Sequence, residues 1–276
     1  MKFYQPNSRQ PEWMNVLPVD PSRLSLKELR NFKDFHRLIN TDDMKEAPPS
    51  VRYFYQCFRF LYFFVLILID EKRFPALNKC WDDLRARYSH METFEDGVFL
   101  ESWIFFDFPI TEDGRTVLDE YEASMKDSET LAKSQPFIQA TRTSRLGLYQ
   151  EVLSTSKVTK FKELFTNRVI STLRSVLEYN ANEIFLGRIV QLEEDQFLLG
   201  NPKCFPPNRK QALLDMVTDR LLDLGYTDPD FDRSLPIADL YGKFMKIAGP
   251  YWMSVVCDDH DSEILLPNHY RKYYKS

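Results

Sequence analysis

Residues Val51 to Ile69 read VRYFYQCFRFLYFFVLILI. Nineteen residues come close to the length at which a helix spans a bilayer. Arg52, Gln56 and Arg59 interrupt the run, and an arginine at mid-membrane costs about 2.5–3.5 kcal/mol on insertion scales. The unbroken apolar part, Phe60 to Ile69, is too short to cross. The stretch therefore reads as a buried helix at the centre of a helical core, with Ser50 as its N-cap after Pro48 and Pro49. No membrane span is expected. Eight of the twelve residues from Tyr53 to Phe64 are aromatic, more than one helix face needs. Rings are favoured at buried interface centres, so a homodimer formed through 53–64 stands beside the core reading.

Outward from this helix, the N-terminal side begins with a proline-punctuated arm over 1–21. Ser25-Leu26-Lys27-Glu28 is a capping box, and Leu24 and Leu29 have the spacing of a hydrophobic staple. On the C-terminal side, Ala76 to His90 places Leu77, Cys80, Trp81, Leu84 and Tyr88 at helical spacing. Glu95 to Phe108 is a further helix ended by Pro109. Asp113-Gly114 is a turn, Val117 to Met125 a short helix, and Lys126 to Gln135 a polar loop or fraying helix.

The character changes near Gly147. From Leu148 to Phe205 the chain is richer in strand formers. Val169 to Leu173 reads as a strand, and Ile184–Leu192 with Gln196–Leu199 as a hairpin across Glu193-Glu194-Asp195. Lys157 to Phe165 fits periods of two and 3.6 equally. Pro206-Pro207 closes the region. Helices return with a stripe of Leu214, Val217, Leu221 and Leu224 ending at Gly225, and with 234–248. The fold expected is α+β: a helical N-terminal layer over 1–145, a small bent antiparallel sheet or barrel-like β module over 146–206, and C-terminal helices and tail over 207–276, forming one compact unit.

Composition removes several classes of function. The eight glycines are scattered, so neither a dinucleotide fingerprint nor a P-loop is present. The opening residues hold no apolar run of a secretory signal. The four cysteines, Cys57, Cys80, Cys204 and Cys257, show no paired motif, which fits reduced thiols and a cytoplasmic location. No G-x-S-x-G elbow occurs, and the four histidines suggest no triad by spacing. Cys257, Asp258, Asp259, His260 and Asp261, with His269 beyond, hold metal-ligating types, but only one end of the cluster carries a pair, so they read as a solvated acidic turn. Glu101 and Asp107 sit among Trp103, Phe105 and Phe106, where burial raises a carboxyl pKa. Six residues along a helix set them well apart around its axis, so Asp107 reads as an anchor for the turn before Pro109. No cofactor and no metal is expected.

Charge is the most informative feature. The chain carries −5 overall, yet between residues 142 and 174 seven basic residues face two acidic ones, Glu151 and Glu163. The basic set is Arg142, Arg145, Lys157, Lys160, Lys162, Arg168 and Arg174, interleaved with Tyr149, Phe161 and Phe165. A bent sheet bearing cations and exposed rings suits a single-stranded nucleic acid or another macromolecular partner. The expected binding residues are Arg142, Arg145, Tyr149, Lys157, Lys160, Lys162, Arg168 and Arg174. Tyr270 to Lys275 forms a second, short basic–aromatic element.

Phe99-Leu100-Glu101-Ser102-Trp103-Ile104-Phe105-Phe106-Asp107 with Asp113-Gly114, then Leu148 to Leu153, Lys162 to Thr166 and Ile184 to Pro207, resemble bacterial proteins that often end in a SEC-C zinc motif. The resemblance covers about residues 95–207. It implies a bacterial cytoplasmic protein more than an activity. The Cys-rich zinc tail of that group has no counterpart here, so its metal does not carry over. The combined reading is a non-enzymatic accessory or interaction protein that binds a macromolecule. Two other classes stay open: a single-stranded nucleic-acid binder using the β module, and a metal- or carboxylate-dependent hydrolase centred on Glu101, Asp107 or the Asp258–Asp261 turn.

Overall fold

The computed structural model describes residues 25–30, 45–87, 101–173, 183–205, 207–215 and 217–218. The arm over 1–21, the helix over 234–248, the Cys257–His269 segment and the Tyr270–Lys275 element lie outside these residues. The chain divides into two compact units. One gathers residues 1–97 and 104–142, the other 98–103 and 143–275.

The first unit is helical. Helix α1 spans Leu26–Arg30, α2 Pro49–Asp70, α3 Pro75–Arg87, α4 Val117–Ser124 and α5 Glu129–Thr143. Helix α2 is the aromatic stretch. It starts two residues before the expected position: Pro48 is the N-cap and Pro49 the first helical residue, so Ser50 lies inside the helix. Proline suits this place because its ring presets φ and the N–H it lacks would be unpaired anyway. At the other end Asn78 Nδ2 donates to the Ile69 carbonyl at 2.7 Å, closing an acceptor that the helix leaves open.

Rings on every side of α2 find partners within the unit. Phe54 lies 4.9 Å from Phe137, Phe58 5.5 Å from Phe105, and Phe64 5.3 Å from Tyr121, centroid to centroid. Tyr62 meets Trp81 edge-on at 6.0 Å, and Trp81 stacks on Phe105. By length and composition α2 is apolar enough to cross a membrane. Thirteen of its residues are buried inside the unit, Arg59 among them. Phe54, Cys57, Phe58 and Phe60 to Phe64 are buried within one chain, so their burial needs no second copy. The excess of rings has a packing explanation from Cys57 to Leu68, where every residue is buried and the helix has no solvent face to leave polar.

Helix α4 carries a full capping box, Thr116 with Asp119. Gly114 sits at φ +82°, the left-handed turn foreshadowed by Asp113-Gly114. Helix α5 decides between the two readings of 126–135, since from Glu129 onward the segment is helix rather than loop. Pro136 lies inside α5, where it withholds one N–H from the helical ladder. The helix survives because a face of small polar and apolar residues, Thr130, Ser134, Phe137, Ile138 and Thr141, is buried. Its hydroxyls are satisfied locally: Ser134 Oγ donates to the Thr130 carbonyl at 2.8 Å and pairs with Tyr121 Oη at 2.9 Å. The Tyr53 hydroxyl donates to the Lys133 carbonyl at 2.6 Å, next to the gap that Pro136 makes.

The second unit holds five described strands: β1 Arg145–Ser154, β2 Val158–Glu163, β3 Val169–Leu173, β4 Ile184–Leu192 and β5 Asp195–Phe205. They form an antiparallel sheet in the order β3-β2-β1-β4-β5. The ambiguous Lys157–Phe165 stretch resolves as strand. Irregular pairing between Glu151 and Leu153 and between Leu186 and Arg188 bends the sheet. Strands β3 and β5 approach within 8 Å between Cα atoms without sharing a ladder. The module is therefore an open bent sheet, not a closed barrel.

Tyr149, Phe161, Phe185 and Ile189 form the core of its interior face, with Ile170 and Leu198 packed against them. Gly147 is required here. A Cβ at that position would meet the Tyr149 ring and hydroxyl at 2.7 Å, because the ring folds back over the glycine. On the opposite face Leu146, Leu148, Ile184, Leu186 and Arg188 are buried as well. Arg188 is fully enclosed, its Nε donating to Ser102 Oγ at 3.2 Å and one Nη to Ser144 Oγ at 3.1 Å.

Phe58→Ala removes a ring at the centre of the α2 packing. It is expected to lower stability by about 3–5 kcal/mol in urea unfolding, the range for a fully buried Phe. Gln56→Ala, on a half-buried position of the same helix, is expected to cost less, about 0.5–1.5 kcal/mol, since it removes polar contact and not a buried ring.

Candidate functional site

Strand β2 alternates. Thr159, Phe161 and Glu163 are buried, while Lys160 is exposed and Val158 and Lys162 are half-buried. Period-two geometry puts these two sets on opposite faces. Register extends the assignment to the neighbours. Lys160 is paired with Leu153 and Ser171, and Lys162 with Gln150 and Val169. The outer face of β1–β2–β3 thus presents two lysines in rows with Leu153, Val169 and Ser171. Leu153 is 47% exposed, Val169 54% and the neighbouring Val152 50%, a high value for apolar side chains grouped together.

The two carboxylates of the segment do not reach this face. Glu163 pairs in register with Tyr149, and Glu151 with Phe161, both on the interior side. Glu163 is buried, and its Oε2 accepts from the Thr166 amide at 2.8 Å and from the Thr166 hydroxyl. Burial raises the Glu151 carboxyl above its ordinary pKa. Lys157, in the β1–β2 turn, and Arg168, just before β3, are exposed. No ion pair or side-chain hydrogen bond to a described residue engages Lys157, Lys160, Lys162 or Arg168. Gln150, at the border of the patch, accepts from Lys210 Nζ at 2.9 Å. Beyond it, the same sheet face is covered at Ile184, Leu186 and Arg188.

Two expected binding residues leave the set. Tyr149 is buried in the interior core, 6.5 Å from both Phe161 and Phe185, because its place in the strand points it inward with Phe161. Arg142 lies on α5 in the first unit. It donates to Asp119 Oδ1 at 2.8 Å and to Glu122, so its charge ties α5 to α4. Arg145 contributes backbone to β1 opposite Ile189. Arg174 lies outside the described residues. The structure therefore gathers Lys157, Lys160, Lys162 and Arg168 on the β1–β2–β3 part of the sheet, and adds Val152, Leu153 and Val169, which the search for charge passed over.

Among the other candidates, Glu101 lies within the helical residues 101–106 and Asp107 follows in the turn, both half-buried. No group of three His, Cys, Asp or Glu placed to hold a metal ion occurs among the described residues. Cys57, Cys80 and Cys204 are free thiols, and burial pushes the Cys57 thiol up to about 12, which keeps it protonated and inert as a nucleophile.

A family model matches residues 90–234, and the description of that family is a family of unknown function, DUF7986. The chain belongs to this family. The DUF7986 match takes in α4, α5 and all five described strands, and so the whole cationic–apolar face. No curated protein and no solved structure matches the chain.

The Arg142 tie has a pH signature. Burial alone would raise the Asp119 carboxyl. Hydrogen bonds from the Thr116 amide, Arg142 and the Thr116 hydroxyl outweigh it and hold the pKa below its ordinary value. A depressed carboxyl stabilises the fold above its unfolded pKa, about 3.9, and loses that contribution as pH falls through the folded value. Arg142→Gln is expected to cost about 0.2–1 kcal/mol at pH 7. That cost should fade below pH of about 4, as read by urea unfolding of both proteins at pH 7 and at pH 3.

Proposed function

We propose that the chain is a non-enzymatic interaction protein, and that the outer face of β1–β2–β3 binds an acidic protein segment carrying apolar residues. One observation carries the reading. Lys160 and Lys162 are cations with no ion pair to a described residue, set in register beside Leu153 and Val169, apolar side chains that are half-exposed. Apolar contact supplies affinity and the lysines supply charge complementarity and encounter rate. The location of both segment carboxylates on the interior side leaves the face positive. Single-stranded nucleic acid is the less favoured occupant, because stacking needs open ring faces and Tyr149 and Phe161 are turned into the core. The free thiols of Cys57, Cys80 and Cys204 support placing the protein in a reducing compartment such as the cytoplasm.

The test is fluorescence anisotropy of the full chain with a labelled ten-residue peptide alternating Glu with Leu or Val. A labelled oligouridine of equal charge serves as the comparison. Saturable peptide binding that weakens with salt is expected, with affinity falling about tenfold or more in Lys160→Glu/Lys162→Glu and also in Val169→Asp, while the melting temperature stays within a few degrees. No saturable peptide binding at low salt, or tighter binding of oligouridine with the same dependence on Lys160 and Lys162, overturns the reading.

A further inference from the structure

The helical unit contains a second feature that the sheet face does not involve. A cavity of about 450 Å³ is lined by Leu26, Lys27, Arg73, Glu120, Ala123 and Ser124. At its base Glu120 is only 6% exposed. Its Oε1 accepts from Ser124 Oγ at 3.1 Å and lies 3.4 Å from an Nη of Arg73. Its Oε2 lies 3.4 Å from an Nη of Arg115. Arg115 also pairs with Asp113 at 3.3 Å.

A buried carboxylate is stable only when its charge is met, and here two guanidiniums meet one carboxylate. Arg73 keeps the larger reserve. Its side chain is 42% exposed, and its guanidinium carbon lies 6.0 Å from the centre of the Phe74 ring. A guanidinium has five N–H donors in a planar fork. Among the described residues Arg73 uses one nitrogen, on Glu120, and its Nε and second Nη carry no hydrogen bond. Lys27, exposed on α1, adds a second cation to the wall. Leu26 and Ala123 make the rest of the wall apolar.

We propose that this cavity binds the oxyanion group, carboxylate or phosphate, of a small organic molecule. The Arg73 fork is pre-oriented by Glu120 and by its position at the Phe74 ring, and such a fork matches two oxygens of one oxyanion. Lys27 supplies the second charge. The volume falls within the range of small-molecule pockets, about 300–1,000 Å³, and leaves room for the ligand's carbon part beside Leu26 and Ala123.

The test is isothermal titration of the full chain, supported by thermal melting, with inorganic phosphate and with citrate, each against sodium chloride at equal ionic strength. A saturable signal above the chloride control is expected for at least one anion. Phosphate alone assigns a phosphate ester and citrate alone a polycarboxylic acid. Arg73→Gln is expected to weaken binding about tenfold or more. Because it also removes a partner of Glu120, Lys27→Gln is the second variant. It leaves the carboxylate cluster in place and, Lys27 being exposed, is expected to weaken binding severalfold while the melting temperature stays within a few degrees. Lys160→Glu/Lys162→Glu is expected to bind the anion as the wild type does, so this site and the sheet face fail or stand separately. No saturable binding above chloride, or both Arg73→Gln and Lys27→Gln binding as tightly as wild type, overturns the proposal.

Discussion

Alternation along six residues of β2 governs what the sheet shows to solvent. Val158 to Glu163 places Thr159, Phe161 and Glu163 inward and Lys160 and Lys162 outward. A strand has no freedom to mix these sets, because a slip of one residue would reverse every side chain. The interior therefore collects the rings and both segment carboxylates, and the outside keeps the cations. The separation of charge follows from backbone geometry, and the rows shared with β1 and β3 widen it into a surface.

The helical unit handles polarity by another route. It pairs polar groups between elements: the buried Ser134 with Tyr121 and with its own helix, the half-buried Asp119 with Thr116 and Arg142, the buried Glu120 with two arginines. Buried hydrogen-bonding groups are costly when left alone, so each of these pairings fixes where one helix or loop meets another. Helix α2 supplies the apolar bulk around which the pairs are arranged.

Much of this was readable in advance where one local rule dominated. The strand at Val169–Leu173 has β-branched residues and sharp ends, and it occurs as read. The hairpin was marked by Glu193-Glu194-Asp195 between apolar runs, although Asp195 already belongs to β5. The reading failed where tertiary contacts decide. The polar composition of 126–135 left loop and fraying helix both open, and the burial of Thr130, Ser134 and Thr141 decides for helix, even with Pro136 inside it. Ser50 is a better capping residue than Pro48 by side chain, but Pro49 is already helical. Tyr149 looked available because it is close to basic residues in sequence. Its inward aim depends on β1 being paired with β2 in a register that places it opposite Glu163. One signal was present and usable: Phe161 and Glu163 share parity, so Lys160 and Lys162 had to lie on the other side. The partners of Arg142 are 20 and 23 residues away on another helix, and no local pattern announces them.

Arg188 gives the sheet a means of proofreading. Its guanidinium has a polar niche made by Ser102 and Ser144 on one side of β4, whereas the other side of the strand carries Phe185 and Ile189. A mispaired β4 would drive a permanent cation into that aromatic interior and take it away from both serine hydroxyls. Wrong alignments of the longest run of buried residues in the sheet are thereby rejected by one ion, and the face that offers Lys160 and Lys162 to solvent inherits its fidelity from a charge that never reaches water.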